Sequence, residues 1–233
     1  MLRRVFMAFV GCLALTCAAL PAASAPSTQS PEEFVLKVSN EILDAIKKDP
    51  KLQQGEKKAV EALVDEKMMP AVDFLRMTRM AVGPKWRQAT PEQREQLQHL
   101  FRETLIQVYS GGLSMAKDQK VRILPRGQND GTEAIVRTGM SSISDPGKPE
   151  VQMVYRLRNI KDQGWKVIDV NVEGVWLVSN YRNQYGNIAA QEGIEGLIRR
   201  MQVEPGPIWD KRRVSSPTTA YHSSTVPASA SAR

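Results

Sequence analysis

The stretch GWKVIDVNVEGVWLVSNYRNQY, residues 164–185, decides the fold. Residues 165–172 are rich in β-branched and aromatic side chains, which is typical of a strand. Glu173 and Gly174 then break that run, and the pattern from residue 175 onward is helical. The chain therefore passes from a strand almost directly into a helix, which predicts a protein of mixed α and β structure.

Three similar runs come before this strand. Each is short and rich in β-branched residues, and turn-forming residues separate one from the next. The runs lie at 121–124, 133–138 and 151–157, and the turns lie at 127–131, 144–147 and 161–164. Four strands with such short connections predict an antiparallel meander. One face of this sheet must be covered by helices.

The helices are predicted mainly from residues 30–112. Two capping boxes, Ser30-Pro31-Glu32-Glu33 and Thr90-Pro91-Glu92-Gln93, mark the start of two helices. A helical pattern at 56–68 is kinked or restarted at Pro70, and a largely buried helix follows at 72–80. A final short helix contains Ile194. The predicted fold class is α+β, with a four-stranded antiparallel sheet packed against several helices.

Both ends of the chain are predicted to lie outside the folded domain. Residues 1–25 have a basic start, an uncharged apolar run and small residues at Ala23-Ser24-Ala25, which predicts a secretory signal peptide. An uncleaved anchor is the alternative, but 16 apolar residues are fewer than the roughly 20 that a span needs. Residues 203–233 are rich in Ser, Thr, Ala and Pro, which predicts a disordered tail. The expected domain is 26–202, in an exported protein.

The composition leaves little for catalysis. The chain has 233 residues with only two cysteines, Cys12 and Cys17, and both fall in the predicted signal peptide. It has two histidines, His99 and His222, and no cluster of ligands at metal spacing. Nucleophilic and transition-metal chemistry are therefore not expected, and we predict that the protein is not an enzyme. A hydrolase working through paired carboxylates stays open, with Asp65, Asp73, Asp169 and Glu173 as its candidates.

The charge balance does not favour nucleic-acid binding. The formal net charge is +7, and removing Arg3 and Arg4 with the signal peptide leaves +5. No aromatic residues interleave the arginines, so a nucleic-acid partner is not expected. A stripe on one sheet face is possible, formed by Arg137, Arg156, Arg158 and Lys166. It is either a solvated face or a docking surface for an acidic partner or lipid phosphate.

Three stretches together resemble the MlaC, or toluene-tolerance (Ttg2-type), family of periplasmic phospholipid-binding transport proteins. They are 69–86, with Met-Pro-Ala-Val-Asp-Phe at its start, 89–109, and 164–185. The resemblance spans about residues 31–201. The tail beyond this point departs from the family, so its role is open.

This resemblance implies a carrier that holds the tails of one two-tailed phospholipid in a deep apolar pocket between a twisted sheet and several helices. It further implies shuttling in the periplasm between an outer-membrane lipoprotein/porin complex and an inner-membrane ABC transporter complex with its lipid-binding, membrane-anchored subunit. Outer-membrane lipid asymmetry would be maintained in this way. No cofactor is implied. The alternatives are an envelope protein-interaction module without a lipid, and a carrier of a related apolar lipid such as a hopanoid.

The same resemblance places certain apolar side chains near the lipid tails. Lining residues are expected from Val72, Leu75, Met77, Leu105, Tyr109, Met153, Tyr155, Val170, Val175, Trp176 and Tyr181. Some of this set must instead be ordinary core.

We predict that the tail is dispensable for stability. Residues after Gln202 contain no periodic apolar stripe, so truncation after Glu204 should leave the melting temperature nearly unchanged. Thermal unfolding of the full and truncated chains checks this. A large fall in melting temperature would show that the tail packs on the domain.

Overall fold

The computed structural model describes residues 29–203. The predicted signal peptide and nearly all of the predicted tail lie outside this range. In chain order the elements are α1 (Pro31–Lys48), α2 (Pro50–Gln53), α3 (Lys57–Leu63), α4 (Phe74–Val82), α5 (Pro91–Tyr109), α6 (Leu113–Ala116), β1 (Gln119–Asn129), β2 (Glu133–Ser142), β3 (Val151–Ile160), β4 (Gly164–Val172), β5 (Val175–Trp176) and α7 (Leu177–Val203). The α+β class is confirmed.

Helices α1 and α5 begin at the two predicted capping boxes. The Ser30 hydroxyl accepts from the Glu33 amide at 3.1 Å, and the Glu33 carboxylate accepts from the Ser30 amide at 2.9 Å. Thr90 and Gln93 exchange the same two bonds at 3.2 and 3.0 Å. These reciprocal bonds satisfy amides that a helix start would otherwise leave unpaired.

The chain between α3 and α4 is less regular than the sequence pattern predicts. A π-helix covers Val64–Met68 and a 3-10 helix covers Met69–Ala71, which places Pro70 where no interior helical bond is lost. Val72 then forms a parallel bridge with Val167 of β4, and the Asp73 amide donates to the Val167 carbonyl at 2.9 Å. The start of α4 is therefore tied to the sheet.

The sheet is an antiparallel meander in the order β1-β2-β3-β4-β5, so the predicted count of four strands is wrong by one. The fifth strand has only two residues, and Trp176 pairs with Asn171. It forms because Glu173 and Gly174 both have positive φ, 52° and 89°, and reverse the chain within two residues. As a result α7 begins at Leu177 and not at residue 175.

Strand register gives the sheet two distinct faces. Tyr155 lies opposite Val136 on β2 and Val170 on β4, while its neighbour Arg156 lies opposite Ile135 and Asp169. Helix α1 packs against the first of these faces through Val35. We call this the inner face and the other the outer face.

Three separate apolar clusters make up the interior. The helical core joins α4, α5 and α7, and it includes Phe74, Phe101 and Tyr181. The sheet core joins α1 to the inner face. The third cluster joins α1, α2, α3 and α5 through side chains such as Ile46. A domain more often has one continuous core. Here the division separates α4, α5 and α7 from the sheet and α1.

The carboxylate of Asp169 connects the sheet to α7. This side chain is only 1% exposed, and its Oδ1 accepts from the backbone amide of Val178 at 3.0 Å, in the first turn of α7. The same oxygen accepts from the Val170 amide at 2.9 Å, and Oδ2 lies 3.9 Å from an Arg156 nitrogen. Burial raises the pKa of Asp169, and the two amides and Arg156 oppose that change.

We predict opposite pH effects at two aspartates. Because the pKa of Asp169 is raised, the folded state keeps this proton longer than the unfolded state does, so wild type should lose stability relative to Asp169→Asn as pH rises above about 3.8. Hydroxyl bonds from Ser142 and Ser144 lower the pKa of Asp118. Wild type should therefore lose stability relative to Asp118→Asn as pH falls below about 3.8.

Urea unfolding of wild type, Asp169→Asn and Asp118→Asn across an acidic pH series measures both differences in the free energy of unfolding. Asp169→Ala should also lose about 1–2 kcal/mol at neutral pH, since the α7 amide loses its acceptor. The same pH dependence of stability, relative to wild type, in both Asn variants would contradict the opposite pKa shifts of the two aspartates.

Candidate functional site

Two of the predicted lining residues are ordinary members of the helical core. Met77 is 4% exposed and Tyr181 is 1% exposed. The Phe101 ring lies 5.0 Å from the Tyr181 ring and 5.6 Å from the Tyr185 ring, centroid to centroid, and it stacks on Phe74 at 5.5 Å. These rings fill the space between α4, α5 and α7.

Five predicted residues are half-buried and belong to the interior of none of the three clusters. Val72 packs against both the helical core and the sheet core, and Leu105 packs against the helical core alone. Tyr155 and Val170 lie directly opposite each other on the inner face. The Tyr155 hydroxyl lies 3.5 Å from the sulfur of Met153, which is also on this face. Met153, Tyr155 and Val170 are therefore neighbours on the inner face, and Val72 joins the sheet core to the helical core.

Trp176 lies apart from that set. Its ring is 4.6 Å from the guanidinium carbon of Arg156, which belongs to the outer face. This cation–π contact and the pairing of Trp176 with Asn171 place it at the edge of the sheet.

Three further predicted residues are exposed at the surface. Leu75 is 53%, Tyr109 50% and Val175 58% exposed. Tyr109 is nevertheless joined to the helical core, because the Tyr181 hydroxyl hydrogen-bonds to its hydroxyl. Tyr109 thus stands where the interior meets solvent.

The expected deep apolar pocket is not confirmed. Two clefts open on the surface formed by residues 29–203. One, of about 450 Å³, lies between Met69, Leu75 and Lys166; the other, of about 370 Å³, lies between Asn129, Glu133 and Arg156. Each is open and partly polar, whereas small-molecule sites are enclosed and mainly apolar.

Two buried hydroxyls were not found from the sequence. Thr138 is fully buried on the inner face beside the Tyr155 hydroxyl, but its Oγ1 makes no hydrogen bond of good geometry within the described residues. Tyr185 is 1% exposed, and its hydroxyl lies beside the Thr104 side chain, again without a bond of good geometry. Burial raises the pKa of Tyr185 and of Tyr181. The alternation of Ala134, Val136 and Thr138 indicates an inward position for Thr138, but it does not reveal how the hydroxyl is hydrogen-bonded.

The four candidate carboxylates have separate structural roles. Asp65 pairs with Arg102 at 2.7 Å, and Asp73 caps α4 by accepting from the Arg76 amide at 3.0 Å. Asp169 accepts from the Val178 amide, and Glu173 accepts from the Gln152 amide at 3.3 Å. Within residues 29–203 no group of acidic, His or Cys side chains is arranged to hold a metal ion. No helix in this range is long and apolar enough to cross a membrane.

The described residues form an α+β protein in which an antiparallel meander and a helical layer of α4, α5 and α7 meet at half-buried apolar side chains such as Val72. The family model for the MlaC protein matches residues 36–203, so the chain belongs to the MlaC family.

Three known proteins are similar to this chain. A toluene tolerance protein, ttg2D, of Pseudomonas putida is 27% identical over 72% of this chain and 76% of its own length. The intermembrane phospholipid transport system binding protein MlaC of Haemophilus influenzae is 24% identical over 67% of this chain and 70% of its own. A phospholipid-binding protein of Ralstonia solanacearum, solved in complex with a phospholipid, is 35% identical. It covers 75% of this chain and 96% of its own, with a TM-score of 0.69.

We predict that Tyr185→Phe keeps or raises stability. The Tyr185 hydroxyl lies beside Thr104 but makes no hydrogen bond of good geometry, so removing it removes a desolvation cost. The free energy of unfolding should therefore stay level or rise by about 1 kcal/mol. Phe101→Ala should instead lose about 3–5 kcal/mol, because it leaves a cavity among the rings of Phe74, Tyr181 and Tyr185. Urea unfolding measures both. A clear loss in Tyr185→Phe would mean that its hydroxyl is hydrogen-bonded in solution.

Proposed function

We propose that this protein is a periplasmic phospholipid carrier. One observation carries the proposal: the Ralstonia solanacearum protein, which is 35% identical and similar in fold, was solved with a phospholipid bound. The names of the two curated relatives agree with a role in lipid transport or solvent tolerance. The acyl tails would lie between the inner face and the helical layer, against Val72, Met153 and Tyr155.

The three-way division of the interior supports this location. A ligand that separates the helical core from the sheet core replaces contacts between half-buried side chains and leaves each cluster intact. Methionines suit such a boundary, because their flexible side chains adapt to an irregular ligand. Leu105 and Val170 would meet the tails from opposite sides.

The transfer free energy of the acyl tails suits a protein that carries lipid better than one that only stores it. Two tails of about 15 methylenes each would gain roughly 24 kcal/mol on leaving water, at about 0.8 kcal/mol per group. The tails start in a bilayer, where they are already dry, so their net transfer is close to neutral. The protein would then lower the cost of desorption, and its partners would set the direction.

Those partners would be an inner-membrane ABC transporter complex and an outer-membrane lipoprotein/porin complex, with lipid asymmetry of the outer membrane as the result. Family membership supports this part of the proposal. A related apolar lipid such as a hopanoid would use the same interior. Native mass spectrometry of protein purified without detergent tests the ligand class directly. A co-purifying phospholipid mass is expected, and an empty folded protein would contradict the proposal.

We predict that Met153→Glu abolishes lipid retention while the fold survives. Met153 is half-buried on the inner face, where a carboxylate would be placed against dry acyl tails. Native mass spectrometry gives the lipid occupancy, and circular dichroism gives the fold.

The matched control is Gln152→Glu. Gln152 is the preceding residue of the same strand, but it is exposed on the outer face. The Gln152→Glu variant introduces the same charge one residue away, and it should retain lipid at the wild-type level. Full lipid occupancy in Met153→Glu, or equal loss in both variants, would show that the inner face does not contact the tails.

A further inference from the structure

The outer face of the sheet carries an array of cations. Strand register places Arg137 of β2, Arg156 and Arg158 of β3 and Lys166 of β4 on this one face. Arg126 of β1 lies beside them, because its carbonyl accepts from the Arg137 side chain at 3.3 Å. The predicted basic stripe is therefore an area that extends across four strands. We call these five residues the basic face.

Few carboxylates balance this charge. Glu133 is shared between Arg158 and Arg76, at 4.0 Å from each, and the buried Asp169 lies 3.9 Å from Arg156. Within residues 29–203 no ion pair is formed by Arg126, Arg137 or Lys166. Arg137 and Arg126 are exposed, and Arg158 keeps 38% of its side chain exposed. The basic face thus presents several positive charges to solvent.

The basic face has the character of a surface for headgroups. Eight described residues are large, apolar and exposed. One of them, Leu75, shares a cleft with Lys166, and none of the eight pairs across the strands with Arg137, Arg156 or Arg158. Stable protein interfaces usually need apolar or aromatic anchors at their centre, whereas a layer of phosphates does not. Arginine is also well suited to phosphate, because its planar group donates two parallel hydrogen bonds.

We propose that the basic face docks this protein on the anionic headgroup surface of a membrane. This inference builds on the proposed carrier function, since it names the surface at which the carrier would stand while lipid is exchanged. The face lies on the side of the sheet opposite to α1, so a docked membrane would not contact the inner face. Trp176, stacked on Arg156, lies at the border of this face, as a tryptophan at a membrane interface often does.

The test is vesicle flotation with three proteins. The first is wild type. The second is Arg137→Gln with Arg158→Gln, which neutralises two cations of the basic face and leaves Arg156, with its contacts to Trp176 and Asp169, in place. The matched control is Lys47→Gln with Lys48→Gln, which removes the same charge from exposed positions at the end of α1. Unchanged thermal unfolding confirms that each variant is folded.

Wild type is expected to bind vesicles that contain phosphatidylglycerol at low salt, to bind much less at high salt, and to ignore vesicles of phosphatidylcholine alone. The basic-face variant should bind about 25-fold more weakly, at about fivefold for each cation near an anionic surface, and the control should bind like wild type. Equal binding by the two variants would overturn the proposal. So would equal binding to both kinds of vesicle.

Absence of binding to the phosphatidylglycerol vesicles would also overturn it, and would assign the face to an acidic protein surface. The lipid content of each protein, measured by native mass spectrometry, separates this result from the carrier function. If wild type binds the vesicles but carries no lipid, the carrier function is contradicted and the docking proposal stands. If it carries lipid but does not bind the vesicles, the docking proposal is contradicted and the carrier function stands.

Discussion

A buried carboxylate on β4 holds the sheet and the last helix together. Asp169 accepts hydrogen bonds from two backbone amides, one in its own strand and one in the first turn of α7. An aspartate with 1% exposure is costly unless such bonds and a nearby cation compensate it. Because α7 carries Tyr181 and Tyr185 into the helical core, the placement of that core depends on this bond. The strand-turn-helix stretch at 164–185 is thus one structural unit.

A second contact attaches a helix to β4 only two residues before Asp169. Val72 pairs with Val167, and the Asp73 amide donates to the same strand before α4 begins. Both α4 and α7 are therefore fixed to β4 at their starts, and their bodies pack on α5 through Phe101. This arrangement attaches the helical layer along one strand of the sheet. Beside these attachments, the half-buried Val72 packs against both the helical core and the sheet core.

The two faces of the sheet thereby acquire different chemistry from alternating residues of the same strands. On β3, Met153, Tyr155 and Leu157 face inward, while Arg156 and Arg158 face outward. A carrier needs both kinds of surface, because an acyl tail requires a dry interior and a headgroup layer requires charge. Alternation along a strand provides them within about 10 Å of sheet thickness, without a second domain.

The sequence by itself determined most of the elements. The capping boxes at Ser30 and Thr90 and the turns between the strands could be predicted, because each depends on a few neighbouring residues. The alternation on β3 likewise assigned Arg156 and Arg158 to one face. The resemblance carried together by residues 69–86, 89–109 and 164–185 predicted the MlaC family, and the family match confirms it.

Only the tertiary structure decided which apolar residues are core and which are half-buried between the cores. Met77 and Val72 are similar in character and close in sequence, yet one is 4% exposed and the other bridges two clusters. That difference depends on how α4 packs on α5, α7 and β4, which are distant in the chain. The two-residue strand β5 also escaped prediction, because its pairing exists only once Glu173 and Gly174 reverse the chain against Asn171. Long-range contacts of this kind leave no periodic trace in the residues that make them.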